Sequence, residues 1–155
     1  MRLLVLGLDV DQRSCIVDAT EVTPAAVDGV PGTAVARLFA TSQSPPPACG
    51  SGLGKFVDNG LAPGIVQWFV VEHAPPASPD EEHAGTELHH RNAIDLVVVM
   101  EGSGDLVLGD GSHPVRAGDC IVMAGVDHAL RTGPDGCRLM SFAIGAASLS
   151  SAKAS

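Results

Sequence analysis

The chain has no tyrosine, one tryptophan and four phenylalanines, so its 155 residues must build a core mainly from aliphatic side chains. Basic residues are scarce as well. Nine Lys plus Arg against eighteen Asp plus Glu leave a formal charge of −9. That balance argues against nucleic acid and anionic membrane surfaces as partners. No apolar run approaches the ~20 residues of a membrane-spanning helix. The stretch from Met1 to Val10 is apolar, but it holds only Arg2 as a basic residue and runs into Asp9 and Asp11. It reads as a first strand rather than a secretory leader, so a cytoplasmic protein is expected. The four cysteines, Cys15, Cys49, Cys120 and Cys137, show no Cys-x-x-Cys spacing. Free thiols in a reducing compartment are expected, not a disulfide framework or a zinc site. Helical periodicity is scarce.

What remains is rich in Val, Leu, Ile and Ala, punctuated by 18 Gly and 11 Pro. That composition on a chain of one-domain length predicts an all-β fold. Residues 2–8 and 14–22 alternate apolar and polar character around Asp9-Val10-Asp11-Gln12, an N-terminal hairpin. Residues 34–41 read as a strand and 42–54, with Pro45-Pro46-Pro47, as a loop. The apolar span 64–73 is a strand that Pro75-Pro76 ends, because proline donates nothing to a ladder. A Pro- and acid-rich loop, 74–86, leads into strands at 87–92, 94–101, 104–109, 113–116, 119–124, 127–132 and 137–144. Gly102-Ser103-Gly104, Gly109-Asp110-Gly111, Ala117-Gly118-Asp119 and Pro134-Asp135-Gly136 supply their turns. The small polar tail from Ala146 to Ser155 is expected to fray. No internal repeat is visible.

Two segments carry chemistry. The first is His89-His90-Arg91-Asn92-Ala93-Ile94-Asp95, followed by an apolar run and Gly102. The second is Gly118-Asp119, an apolar strand, then Gly125-Val126-Asp127-His128. Two histidines on separate strands, each tied to a glycine turn, are how a small barrel builds one interior site. These segments resemble the two motifs of the cupin superfamily over roughly residues 65–145. His89 fits the first histidine, Asp95 the usual glutamate position and Gly102 the closing glycine. Gly118-Asp119 opens the second motif and His128 is its histidine. Arg91 stands at the second histidine position, His83 at the leading glycine and Thr132 at the closing asparagine. The resemblance implies a single cupin (jelly-roll) barrel of two antiparallel sheets. Residues 64–146 would form the barrel, 1–63 N-terminal strands and a loop packing on it, and 147–155 a tail. Such barrels commonly pair, so a homodimer is expected, with the N-terminal strands donated to a partner sheet.

Strand alternation puts Glu87, His89, Arg91, Ala93, Asp95 and Val97 on one face. His90, Asn92, Ile94 and Leu96 share the other, which makes His90 an outer-face residue. The resemblance implies that the first set faces the barrel interior, which makes His89, Asp95 and His128 the candidate metal ligands, a set suited to Fe, Mn, Ni or Zn. The other reading is a metal-free polar pocket in which Asp95 accepts hydrogen bonds from the histidines. Arg91, His128 and Asp95 are the candidate catalytic residues. Arg91 would polarise a substrate oxygen and His128, oriented by Asp95, would move the proton. Against this stands an internal Arg91–Asp95 ion pair with no substrate role. His83 is either a solvated loop residue or a group swinging over the barrel mouth. His73 and His113 carry no argument. Trp68, Phe69, Met100, Met123, Met140 and Phe142 are expected in the core, one or two of them lining the cavity.

The function expected is proton-transfer chemistry on a small oxygenated metabolite, whether isomerisation, dehydration (lyase) or cyclisation, with or without metal assistance. A non-catalytic module binding a small molecule or anion is the alternative of a different class, and a metal-dependent dioxygenase is a third.

Overall fold

The computed structural model describes residues 1–28, 31, 34–42, 46, 48, 54–57, 60–76, 78 and 87–147. His83, Cys49 and most of the two long loops and the tail lie outside them. Among the described residues the fold is all-β, and no helix is long and apolar enough to cross a membrane. The strands are β1 (Arg2–Leu8), β2 (Ser14–Glu21), β3 (Ala25–Ala26), β4 (Ala34–Val35), β5 (Lys55–Phe56), β6 (Val66–His73), β7 (His89–His90), β8 (Ala93–Leu108), β9 (Gly111–Arg116), β10 (Cys120–Ala124) and β11 (Ala129–Gly145). Seven of them make one sheet in the order β2-β1-β10-β8-β11-β6, with β9 paired to β8. The pairs β3–β4 and β5–β7 form two small sheets.

The expectation of two antiparallel sheets in a barrel needs correction. β1 runs parallel to β10, so the large sheet is mixed, and its path from β2 to β6 does not close. β1 has both neighbours, β2 and β10, within its own chain, and β2 is the N-terminal strand at the sheet edge. Leu4 and Leu6 of β1 are buried against Val97, Ile121 and Met123 in the core, and that burial holds it there.

Two expected turns are bends within single strands instead. β8 runs unbroken through Gly102 and Gly104, and β11 through Pro134 and Gly136. Their pairing shifts register between Thr132 and Cys137. Gly102 has φ +74° and a Cβ there would lie 2.1 Å from the Gly136 carbonyl oxygen. Both long strands bend at this close approach, which only glycine permits. The Gly118-Asp119 turn is fixed differently. Buried Asp119 accepts bonds from the Arg2 guanidinium and from the Arg116 amide at 3.0 Å, tying β1 to the β9–β10 turn.

Other boundaries moved as well. Of the span 34–41 only Ala34–Val35 is strand; Leu38 and Phe39 pack against the outer side of the large sheet instead. Of 87–92 only His89–His90 is strand, and β5, which was not anticipated, runs beside it. Trp68, Met100 and Phe142 are not core residues. Trp68 is 70 % exposed, and the other two are also exposed. β6 is an edge strand whose outward residues, Val66, Trp68 and Val70, are themselves apolar, so alternation alone hid which side was the core.

Candidate functional site

A cavity of about 190 Å³ lies on the inner side of the large sheet. Phe69, Val97, Met123 and Leu139 are among its walls, and His73, His89, Arg91, His128 and Ser141 are its polar lining. A wider open cleft of about 470 Å³ borders Glu72, Glu101, Asp135 and Arg138. That cleft holds neither His89 nor His128, so the smaller cavity is the candidate site.

His89 and His128 are brought together by backbone. They form an antiparallel bridge and exchange both amide bonds, His89 N to His128 O at 3.0 Å and His128 N to His89 O at 2.8 Å. Directly opposed residues of such a pair point to one side, and the two rings lie 4.5 Å apart between centroids, tilted by 52°. Each Nδ1 faces a carbonyl two residues earlier in its own chain, Glu87 O at 2.8 Å and Val126 O at 2.9 Å. A carbonyl only accepts, so each Nδ1 carries a proton, and Nε2 is the ring nitrogen left without a bond to that carbonyl. Burial is the main cause that pushes the His128 pKa down to about 4. The Val126 bond and the Asp95 charge oppose that shift, while His89 and Arg91 add to it. His128 is therefore neutral at physiological pH.

Arg91 and Asp95 form a two-pronged pair, Nε to Oδ2 at 3.0 Å and Nη2 to Oδ1 at 2.6 Å. Asp95 is 1 % exposed. The Arg91 guanidinium also sits 5.9 Å over the Phe69 ring. The ion pair anticipated from the i, i+4 spacing is thus present, and both Asp95 oxygens are given to Arg91. The group that orients His128 is the Val126 carbonyl, with Asp95 acting on it through charge. Among the described residues, no group of three His, Cys, Asp or Glu is arranged to hold a metal ion.

His90 faces away from the cavity, on the outer face where its parity put it, and it is buried there. Its Nδ1 lies 3.1 Å from Asp127 Oδ1 and its ring 5.6 Å from Phe56. β5 covers this side through Lys55 N to Leu88 O and Val57 N to His90 O. His90–Asp127 and His89–His128 are the two faces of one short bridge.

Two lining residues escaped the sequence reading. His73 shares the inward parity of Phe69 and Val71 on β6, a signal that was there to be used. It lines the same cavity as the histidine pair, but among the described residues the three do not form a group that could hold a metal ion. Burial lowers its pKa. Ser141 is buried on β11, between Val97 and Phe69 in register. No family model matches the chain, and no curated protein matches it either.

Proposed function

We propose that the chain is a single-domain cupin whose cavity carries out proton transfer on a compact oxygenated small molecule. The observation that carries this is the histidine pair: two imidazoles side by side on the cavity wall, each with its Nδ1 bonded to a backbone carbonyl, so that Nε2 is the ring nitrogen left for a ligand. The bent long strands and the turn glycines at the expected motif positions support the cupin reading.

The chemistry follows from the groups present. A ligand carbonyl sits toward Arg91, whose Nη1 takes no part in the fork to Asp95. His128 Nε2 removes the proton from the adjacent carbon. The C–H pair becomes the enolate double bond and negative charge gathers on the oxygen, where a preformed cation stabilises it. With a pKa near 4, the imidazolium gives its proton back readily. Because Asp95 already answers the charge of Arg91, the resting pocket suits an uncharged ligand better than a carboxylate.

The same two Nε2 atoms would alternatively hold Fe, Mn, Ni or Zn, in which case His128 would serve as a ligand and not as the base. Metal-bound histidines characteristically donate the other ring N–H to a carbonyl, as both do here. The imidazoles fit that role, whereas the carboxylate of Asp95 is engaged by Arg91. A bound ion would supply Lewis-acid polarisation of the ligand oxygen.

The test is deuterium uptake from D2O at the α-carbon of cyclohexanone, followed by proton NMR. Uptake above buffer is expected, falling about 100-fold in His128→Ala, the lower end of what a placed acid–base group contributes. No uptake by the native protein, or an unchanged rate in the variant, sinks the reading.

In this reading the chain is also a homodimer, joined by the outer face of β6, β8 and β11. Val66, Trp68, Val70, Val98, Met100 and Phe142 are all exposed there. Arg138, flanked by Glu72 and Glu101, gives the rim both signs of charge, which a two-fold related copy can match. Light scattering should give twice the monomer mass for the native chain and the monomer mass for Trp68→Glu. A monomeric native protein would contradict this.

A further inference from the structure

Ser141 is 3 % exposed, lines the cavity, and its Oγ has no hydrogen-bond partner among the described residues. A buried hydroxyl left unpaired is costly, and natural structures seldom keep one without a use. Its surroundings make the matter sharper. Phe69 and Val97 flank it in register, and Ile121 and Met123 are further walls of the same cavity. The polar groups of the histidine pair and Arg91 belong to the motif segments. Ser141 is a further polar point of the wall on a different strand, beside Phe69, over whose ring the Arg91 guanidinium sits.

The size of the space limits what can reach it. A cavity of about 150 Å³ in another protein accommodates benzene, so about 190 Å³ accommodates roughly one six-membered ring with small substituents. A hydroxyl can both donate and accept, so it serves a ligand hydroxyl or carbonyl equally. It discriminates against the analogue that lacks the oxygen, because the serine is then left unpaired.

We infer that Ser141 is a ligand-binding, specificity-determining residue, and that the ligand is a compact uncharged molecule of about one ring carrying two oxygen functions. One oxygen is held at the Arg91 and histidine end and the other by Ser141 Oγ. This rests on the proton-transfer reading for the first oxygen only.

The experiment compares cyclohexanone with its 2-, 3- and 4-hydroxy derivatives by ligand-observed NMR titration. One of the hydroxy-ketones should bind native protein about tenfold more tightly than cyclohexanone, the worth of one neutral hydrogen bond. In Ser141→Ala that preference should fall to about one. His128→Ala should weaken or slow all four ketones alike and leave the hydroxyl preference intact. A preference that survives Ser141→Ala overturns the inference and leaves the histidine reading standing. A preference lost in Ser141→Ala, with α-carbon exchange absent in the native protein, does the reverse. Ligand-free Ser141→Ala should also melt higher than native, since an unpaired hydroxyl has been removed. A lower melting temperature would show that Oγ is bonded within the protein and would overturn the proposal, as would failure of all four ketones to bind.

Discussion

Replacing Arg91 with methionine is expected to destabilise the fold by about 3–5 kcal/mol, because the substitution strands a buried carboxylate. Asp95 is 1 % exposed, and the Arg91 fork engages both of its oxygens. Methionine keeps much of the apolar stem that lies along the pocket wall, so the loss reports the charge rather than the packing. It forfeits the guanidinium over the Phe69 ring, a smaller contribution at 5.9 Å. Urea unfolding at pH 7 measures the loss. The double variant Arg91→Met with Asp95→Leu should recover most of it, since removing both members of a buried pair leaves no orphan charge. Arg91→Lys should fall between, retaining the charge without the fork. A loss under about 1 kcal/mol in Arg91→Met would mean that Asp95 is satisfied by other means. The pair would then not be what holds this end of the cavity.

That pair also marks how far the site could be read from the chain. The i, i+4 spacing on a strand, with Ala93 between, put Arg91 and Asp95 on one side, and the structure joins them. The same parity separated His89 from His90 correctly. Parity says which side a residue faces, however, and not whether anything lies on top. His90 is buried because β5 arrives from a distant segment whose pairing no local pattern announces. The tautomers of His89 and His128 were not legible either, since they depend on carbonyls that become acceptors only once the bridge has formed. Ser141 sits among apolar residues on a strand, where sequence offers no reason to single it out. At the level of fold, all-β character and the N-terminal hairpin followed from composition and alternation. The bends at Gly102 and Gly136 looked like turns because glycine marks both. Only the cross-strand approach of 2.1 Å, where a Cβ would meet a carbonyl, distinguishes a bent strand from a chain reversal. The parallel pairing of β1 with β10 is a long-range choice made by burial of Leu4 and Leu6, and nothing in the first ten residues names the partner.

Acid should act on this fold through His128. Its pKa in the folded protein is near 4 against 6.5 for the free side chain, chiefly because burial disfavours the charged ring. The folded state therefore binds fewer protons than the unfolded chain between those two values. Stability from keeping the ring neutral is fully present above about pH 6.5 and is lost as the pH falls toward 4. At about 1.36 kcal/mol per pH unit the loss amounts to about 3 kcal/mol, and water reaching the ring through the cavity makes that a ceiling. Other groups titrate in or near this range. Burial also lowers the pKa of His73, and bonds from Arg13 lower that of Asp9. The measurement is accordingly a difference. Unfolding free energies of the native protein and His128→Gln are compared at pH 7.5, 5.5 and 4, since glutamine offers a similar polar bulk with nothing to protonate. The native protein should lose up to about 3 kcal/mol more than the variant over that span, most of it below pH 6. Parallel curves would show that His128 takes up its proton without strain. The ring would then be solvated, and the neutral lone pair on which the proton-transfer reading depends would not be secured by the fold.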